Sequence, residues 1–522
     1  MIPLAVCLAL GCTVLVLLAR ASTRRKKSHI EGLPEVPNAH WLFGHFNIFK
    51  RMLNTSSAEF GDAQRILAYD YANSDGVCTF HMLGKQWVSF TNPATVRKVL
   101  TLAHHRDTSA PQIRHGGRLF GRRNLPSMRG REWRFWRTAV HRAFTPATLK
   151  GMQARMAAVA STLVESIAKR INEEQQSSSS TWMDVEELMK MVTLDTFGLT
   201  ALGVDFRSCR NLNPSPVATA FDFLSSELMR RIKTMYLPTS HSYSLPTEAN
   251  RRHKRESAVI RSVLDEAVKR RRDQAKQTSD KTEEDDLLAH LFRAVDSAGT
   301  KTEFDLSDEI FSDMLMGLLF AGYETTSITL TYCLYCLAKN PDVEERAMGE
   351  INSVLGQTPA DNDEPTNPID PDQLPYCRAI IMETLRMYPP VILTFRTLEE
   401  PMEISGCTIP AGTQVFIPIW AIQRDSHTFP KPLEFIPERW DDNMSAECDV
   451  PPGDRNGFLC FSGGARSCIG RKFAMQEAVI ILAQLLRNLK FEVDDDYVVE
   501  PFRAGLIQTP RGGMPMKISR RS

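Results

Sequence analysis

Hydrophobic and polar positions divide this chain into long segments with a helical period and a few short segments of another kind. Residues 147–174 follow Pro146 and are rich in residues that favour helices. Residues 250–276 place apolar side chains at helical spacing among many basic ones, which predicts an amphipathic helix. We expect its basic face to be solvated, and a docking surface for an acidic redox partner is the alternative.

Strand signals are few and short. Residues 87–90 and 414–417 contain β-branched and aromatic side chains beside turn residues, a pattern typical of strands. The serine run 177–180 and the charged run 281–286 predict exposed loops. The pattern as a whole predicts a mainly α-helical fold with a minor β-sheet portion.

The longest predicted helix covers residues 308–340. Ser307 is suited to cap its beginning, and Pro341 marks its end. Residues 314–321 are apolar on every side, so we expect them to be buried. Polar residues that follow directly inside such a helix are unusual and indicate a specific role.

The first segment of the chain is apolar. Residues 2–19 contain no charge, and at about 1.5 Å per residue such a helix nearly spans a bilayer. Basic residues follow the run at 20 and 24–27, which predicts a retained anchor with the remaining chain on the cytosolic side. A cleaved signal peptide is the alternative, although it would carry its charges before the apolar run.

Three regions follow from this pattern. Residues 1–20 are predicted to form a single N-terminal transmembrane helix, residues 21–44 a basic and proline-containing linker, and residues 45–522 the catalytic domain. The formal net charge of +1 gives no reason to expect a nucleic-acid partner. Eleven cysteines without regular spacing argue against a disulfide scaffold and favour a reducing compartment.

A glycine-rich loop carries the first chemical motif. Phe461, Gly464, Arg466, Cys468 and Gly470 stand in the pattern F-x-x-G-x-R-x-C-x-G. Glycines let backbone approach a cofactor closely, and N–H groups directed at a sulfur stabilise a thiolate. This pattern resembles the haem-binding signature of the cytochrome P-450 superfamily. The resemblance implies a cytochrome P-450 fold with haem b, with Cys468 as the thiolate ligand of its iron.

The second motif interrupts the long apolar helix. Ala321, Gly322, Tyr323, Glu324 and Thr325 are similar to the oxygen-activation motif of this superfamily. The resemblance implies that Glu324 and Thr325 are catalytic and deliver protons during oxygen activation. A kinked core helix with a threonine bonded to its own backbone is the alternative. Because Ala321 replaces the glutamate that attaches haem covalently in some fatty-acid hydroxylases, we expect no covalent attachment through this position.

Further motifs concern structure and the haem propionates. Glu383 and Arg386 can pair on one helix face, and in the superfamily a downstream arginine, here Arg439, joins that buried pair. Trp133 and Arg137 match a W-x-x-x-R pattern of the superfamily, and the resemblance implies that they contact a haem propionate, as planar guanidinium groups suit carboxylates. It implies further propionate contacts at Arg396 and Arg466. Packing alone is the alternative for Trp133 and Arg137.

The substrate pocket is expected to be largely apolar. The resemblance assigns Ala321, Val391, Thr394 and Phe395 to it, which indicates a lipophilic substrate. The implied function is hydroxylation or epoxidation with one atom of O2. A flavoprotein reductase would supply electrons from NADPH, with cytochrome b5 as a further candidate partner.

The implied location is the endoplasmic reticulum membrane, with the catalytic domain facing the cytosol. A haem-thiolate isomerase or dehydratase acting on hydroperoxides and a non-enzymatic membrane haem-binding protein remain as alternatives.

Overall fold

The computed structural model describes residues 30–521 apart from several short segments. Those outside the description are 41–43, 53–56, 83, 103–110, 175–179, 235–241, 278–285, 297–302, 357–368, 448–452 and 503–506. The predicted anchor and the first part of the predicted linker also lie outside the described residues. None of the helices in the described part is both long and apolar enough to cross a membrane.

Helices dominate the described chain. They are α1 (Phe46–Met52), α2 (Ser57–Ala68), α3 (Pro93–Leu102), α4 (Pro111–Leu119), α5 (Gly130–Ala143), α6 (Pro146–Glu174), α7 (Val185–Phe197), α8 (Ser208–Asn211), α9 (Pro216–Lys233), α10 (Glu248–Gln277), α11 (Leu287–Asp296), α12 (Asp308–Lys339), α13 (Pro341–Leu355), α14 (Pro375–Met387), α15 (Ile419–Ile422), α16 (Asp442–Glu447) and α17 (Arg471–Asn488). Short 3-10 turns lie at Pro371–Gln373, Pro437–Trp440, Arg455–Gly457 and Gly464–Arg466, and a π-helical turn covers Gly198–Leu202.

The strands are short and form small sheets. They are β1 (Val77–Met82), β2 (Lys85–Phe90), β3 (Ser180–Asp184), β4 (Thr394–Thr397), β5 (Met402–Ile404), β6 (Cys407–Ile409), β7 (Gln414–Ile417), β8 (Leu489–Glu492), β9 (Pro501–Phe502), β10 (Thr509–Pro510) and β11 (Pro515–Arg520). The mainly helical fold with a minor sheet is therefore confirmed. Ser180, predicted in a loop, instead begins β3, because it pairs with Ser519 of β11.

The chain forms two compact units, each assembled from separate segments. Unit one comprises residues 1–107, 391–429 and 454–467. Its sheet has the order β1-β2-β7-β4, and β2 runs parallel to β7 while the other neighbours are antiparallel. Its core is aliphatic, with the side chains of Val88, Val415 and Ile417 fully buried.

Unit two comprises residues 108–390, 430–453 and 468–522. Its longest helix is α12, which α7, α10, α14 and α17 contact. The N-cap at Ser307 and the end before Pro341 agree with the sequence prediction. Residues 314–320 are largely buried as expected, but the prediction was wrong for Ala321, which is exposed.

Candidate active site

Cys468 lies in unit two, just before α17 begins at Arg471. Of the cysteines that the structure describes, all are free and Cys468 alone has an exposed side chain. Desolvation by surrounding protein atoms nevertheless raises the pKa of its thiol. Backbone N–H groups of Gly470 and Arg471 and the charge of Arg137 act in the opposite direction. The sulfur is thus accessible, and the nearby N–H groups and Arg137 partly offset the effect of desolvation on its thiol.

Arg137 of unit two is one of the cations whose charge acts on this sulfur. It stands one turn after Trp133 on α5, and Trp133 is buried. Arg137 is half-buried, and within the described residues it forms no hydrogen bond or ion pair. Desolvation lowers the pKa of its guanidinium, and the negative charge of Cys468 raises it. A half-buried guanidinium in this setting suits an anionic group.

The glycine-rich loop belongs to unit one and ends in the turn Gly464–Arg466. Gly464 has a φ of 64°, and a Cβ there would lie 2.0 Å from the carbonyl oxygen of Leu100. Only glycine fits this position. Close packing against Leu100 therefore explains why residue 464 is glycine, in addition to the close approach to a cofactor that the sequence suggested. Phe461 packs edge-on against Phe458, with ring centroids 6.1 Å apart.

Arg396 connects β4 to this loop inside unit one. Its guanidinium donates to Thr394 Oγ1 at 2.9 Å, to the Phe395 carbonyl at 2.7 Å and to Ser462 Oγ at 2.9 Å. The side chain is only 1% exposed. Thr394, predicted to line a substrate pocket, therefore holds the arginine as well. Arg466 is half-buried in the same loop.

The predicted pocket residues of unit one differ in exposure. Val391 is exposed, whereas Thr394 and Phe395 are half-buried. The Phe395 ring packs against Trp87 at 5.3 Å and Phe416 at 5.8 Å between centroids. This stretch is therefore anchored by aromatic packing on the sheet while part of it remains accessible.

The middle of α12 has one accessible face. Gly317, Ala321 and Thr325 recur at four-residue spacing, and they retain exposed surface, as does Gly322, in a segment that is otherwise buried. Thr325 Oγ1 donates to the Ala321 carbonyl at 2.7 Å. The threonine is thus bonded to its own backbone, as the alternative interpretation expected, and its hydroxyl oxygen can still accept a hydrogen bond.

Gly322 is explained by packing. A Cβ at this position would lie 2.4 Å from the Phe197 ring of α7. The glycine therefore allows α7 and α12 to approach closely.

Glu324 lies on another side of α12 and is 5% exposed. Ser225 of α9 donates to its carboxyl at 3.3 Å. Burial raises the pKa of Glu324 to about 8, and the positive charge of Lys190 acts against that rise. Glu324 therefore retains a proton near neutral pH. The structure does not bring its carboxyl to the hydroxyl of Thr325, because the two side chains leave the helix on different faces.

A buried charge network surrounds Glu383 in unit two. Arg386 donates to both carboxyl oxygens, at 2.8 and 2.9 Å, and Arg439 Nε donates at 3.1 Å. The side chains are at most 1% exposed. Trp440 Nε1 adds a bond of 2.9 Å that the sequence reasoning missed, although the tryptophan directly follows Arg439. Carbonyls of Pro432 and Glu434 accept from Arg386.

A sequence model described as Cytochrome P450 matches residues 34–515 of this chain. The chain belongs to the cytochrome P450 family. Its relatives include cytokinin hydroxylase of Arabidopsis thaliana, 30% identical over 73% of this chain and 69% of the relative. Cytochrome P450 4V2 of Homo sapiens is 28% identical over 99% of this chain and 95% of the relative.

A third relative is cyclooctat-9-en-7-ol 5-monooxygenase of Streptomyces melanosporofaciens, 33% identical over 48% of this chain and 51% of the relative. Hydroxylase and monooxygenase names thus recur among relatives. This cytochrome P450 is a monooxygenase, and its cofactor is haem b.

The residues present fit that cofactor. Haem b needs a soft donor for iron and cations for its carboxylates, and unit two offers an exposed sulfur at Cys468 beside Arg137. The accessible face of α12 at Ala321 and Thr325 leaves backbone and small side chains for a flat apolar group to contact. The absence of a carboxylate at Ala321 leaves no acid there for covalent attachment.

Proposed function

We propose that this cytochrome P450 inserts one atom of O2 into a lipophilic substrate, with electrons that a reductase supplies from NADPH. The main support for this proposal is the pair Glu324 and Thr325 near the centre of α12. Glu324 is a buried acid that retains a proton near neutral pH, and Thr325 presents a hydroxyl on the accessible face of the same helix. Oxygen activation consumes protons, so a proton-holding acid and an accessible hydroxyl at adjacent positions of one helix suit this reaction better than an isomerisation or haem storage.

Cys468 would bind the haem iron through its thiolate. The haem supplies the oxidising chemistry when it is bound, and a thiolate ligand favours cleavage of the O–O bond. The N–H groups beside Cys468 would stabilise the negative sulfur. Phe461 and Gly464 would shape the loop before it.

The haem propionates would be held by arginine side chains. Arg137 is half-buried and its charge acts on Cys468, so it is the strongest candidate. Trp133 stands one turn away on the same helix face. Arg466 and Arg396 would supply further donors, and the bonds from Arg396 to Thr394 and Ser462 would keep its guanidinium oriented.

Glu324 would serve as the acid that holds the proton, and Thr325 would contribute the hydroxyl on the accessible face of α12. Ser225 would position the Glu324 carboxyl. Lys190 lies 3.0 Å from Glu186 and 3.3 Å from Asp222, so charged side chains extend from this acid toward solvent. These groups would restore the proton after each turnover.

The substrate is proposed to be lipophilic. Ala321, Val391 and Phe395 present apolar surface, and Thr394 is engaged with Arg396. Phe320, next to Ala321, stacks on Phe120 at 4.2 Å between centroids. Apolar side chains of this kind suit a molecule without charge, because burying an unpaired charge is costly.

The Glu383, Arg386 and Arg439 network would be structural. Its members are buried, and Glu383 pairs with both arginines. We propose no contact between this network and substrate.

The membrane attachment rests on the sequence. Residues 1–20 would form the single transmembrane anchor, residues 21–44 the linker and residues 45–522 the catalytic domain, because residues 2–19 carry no charge and basic residues follow them. The catalytic domain would face the cytosol from the endoplasmic reticulum membrane. There it would meet a flavoprotein reductase, with cytochrome b5 as a further candidate partner.

The test is turnover by the purified holoenzyme with reductase, NADPH and a lipid extract under heavy-isotope O2. We expect a reductase-dependent product that carries one labelled oxygen atom. Unlabelled product formed from hydroperoxides without NADPH would replace the proposal with an isomerase or dehydratase. Haem binding without any product across broad lipid extracts would favour a haem-binding protein.

A further inference from the structure

The three residues before β4 lie outside the sheet of unit one. Strand β4 begins at Thr394, and residues 391–393 are not part of any strand that the structure describes. Neighbouring side chains in this stretch differ sharply in burial, since Val391 is 38% exposed and Ile392 is 1% exposed. Contacts other than the strand ladder must therefore hold the backbone that carries Val391.

The carbonyl oxygen of Ile392 accepts two hydrogen bonds. The backbone N–H of Trp420, in α15, donates at 3.0 Å, and the side-chain amide of Gln64, in α2, donates through Nε2 at 3.3 Å. Gln64 Oε1 accepts in turn from the backbone N–H of Ala421 at 3.2 Å. One amide therefore joins the segment before β4 to the short helix α15.

The Gln64 amide is fixed in one orientation. A carbonyl can only accept and a backbone N–H can only donate, so only this orientation satisfies both Ile392 and Ala421. Gln64 is 0% exposed. A buried amide is costly unless it is hydrogen-bonded, so packing alone would be served better by an apolar side chain of similar size.

Helix α2 is a rigid support for this amide. It contacts β1 and β2 on one side of the sheet, and it also contacts α15. Gly61, one turn before Gln64, lies against the Trp420 ring, and a Cβ there would be 2.7 Å from two ring atoms. The close approach of α2 and α15 therefore places Gln64 within reach of both backbone partners.

We propose that Gln64 is a positioning residue for substrate, which through the Ile392 carbonyl sets where the Val391 side chain stands. The space beside Val391, and with it the preference among lipophilic molecules of different shape, would then depend on a residue of α2. The inference rests on the pocket role proposed above for Val391.

Imidazoles are suitable probes for the experiment. Their ring nitrogen coordinates haem iron, and the absorption band of the ferric holoenzyme shifts when it does. Unsubstituted imidazole needs little space, whereas phenylimidazole, benzylimidazole and dodecylimidazole extend an apolar group into the pocket. The probe to follow is the substituted one whose affinity falls most in Val391→Ala, because that probe contacts the valine.

Gln64→Met removes both amide bonds and keeps an unbranched side chain of similar length. It should weaken the selected probe about fivefold, less than a whole methylene contributes in an apolar pocket, and leave the affinity for imidazole unchanged. Val391→Ala should have a smaller effect in the Gln64→Met background than in the wild type, as expected for residues that act together. General damage to the haem site would instead weaken both probes.

Gln414→Met is the matched control. Gln414 of β7 is another buried amide of unit one, and its Nε2 donates to Thr397 Oγ1 at 3.0 Å, at the far end of β4 from Val391. This variant also loses a buried hydrogen bond. It should keep the wild-type ratio of the two affinities, and its effect should add to that of Val391→Ala.

Gly61→Ala keeps the test decisive if Gln64→Met does not fold. It leaves the Gln64 amide in place, but its methyl group would displace the Trp420 ring, and the backbone N–H of Trp420 bonds the same Ile392 carbonyl. The selected probe should again be weakened while imidazole is not.

Equal weakening of imidazole and the selected probe in Gln64→Met, additive effects of Gln64→Met and Val391→Ala, or the same selective loss in Gln414→Met would each overturn the inference. A series in which no probe responds to Val391→Ala would overturn it as well. If the wild type formed no labelled product with its reductase, the proposed function would fail, whereas the titrations would still decide the role of Gln64.

Discussion

The hydroxyl of Thr325 donates a hydrogen bond of 2.7 Å to the carbonyl oxygen of Ala321, one turn earlier in α12. This bond fixes the rotamer of Thr325 and leaves its oxygen facing the accessible side of the helix. Replacement by alanine removes the hydroxyl, whereas serine retains it. We expect Thr325→Ala to slow product formation on the order of 100-fold, the lower end for a lost proton-transfer group.

The measurement for Thr325→Ala is NADPH consumption against product and peroxide. Consumption should continue while peroxide release rises, and Thr325→Ser should remain near the wild type. Full coupling in the alanine variant would refute a role in proton delivery.

The raised pKa of Glu324 predicts a specific dependence of the free energy of unfolding on pH. Burial raises its pKa from 4.5 to about 8 in the folded protein, so the folded state binds a proton that the unfolded chain releases. Protonation therefore stabilises the fold, and this contribution is complete below about pH 4.5 and lost as pH rises through about 8.

Glu324→Gln should lack that dependence. Relative to this variant, the free energy of unfolding of the wild type should fall by about 1.4 kcal/mol per pH unit inside the window. Urea denaturation at several pH values measures the difference, and parallel curves for the two proteins would contradict the raised pKa.

Gly322 is predicted to tolerate no larger side chain. The Phe197 ring lies 2.4 Å from the position of an added Cβ, and Phe197 is itself 2% exposed. We expect Gly322→Ala to destabilise the fold by about 1–3 kcal/mol, as overpacking does.

Gly349 in α13 is the control because an added Cβ there meets no atom within 4 Å. Gly349→Ala should stabilise the protein by up to about 1 kcal/mol, since alanine favours a helix. Chemical denaturation of both variants gives the comparison, and equal effects would remove the packing explanation.

The Glu383 network is expected to dominate the stability of its region. Glu383→Ala would leave Arg386 and Arg439 buried without their carboxylate, which costs about 3–5 kcal/mol. The exposed pair of Arg251 and Glu248, 3.1 Å apart, is the matched control. Glu248→Ala should change the free energy of unfolding by less than about 1 kcal/mol. A small effect of Glu383→Ala would show that the network is dispensable.

Cys468 and Cys460 provide a test of the ligand assignment. Cys468→Ala should abolish the thiolate spectrum and product formation. Cys460 is half-buried and donates to Gln423 Oε1 at 3.3 Å in unit one, so Cys460→Ala should keep both. Absorption spectra of the ferrous carbon monoxide complex separate the two results. Retention of the thiolate band in Cys468→Ala would contradict the assignment.

Local sequence rules predicted the long elements well. The helix expected over 308–340 is Asp308–Lys339, and the one expected over 147–174 is Pro146–Glu174. Capping residues, prolines and periodic apolar positions act within a few residues, so they can be read without a tertiary structure. The same rules erred at Ala321, because they show that a face is apolar but not whether another element covers it.

Contacts between distant segments could not be predicted in this way. Ser225 and Glu324 are 99 positions apart, and no pattern in either segment indicates that they meet. Trp440 could have been found, since it directly follows Arg439.

The amino-acid sequence by itself determined the family, the cysteine and the helical framework of this protein, because a ligand motif and helix signals depend on neighbouring residues. Tertiary structure decided which groups are buried and which meet. It made Glu324 a proton-holding acid through burial, and it brought Arg137 of α5 within electrostatic reach of Cys468. The burial of a side chain and its contacts with distant residues arise only when distant segments pack, so a local sequence pattern cannot predict them.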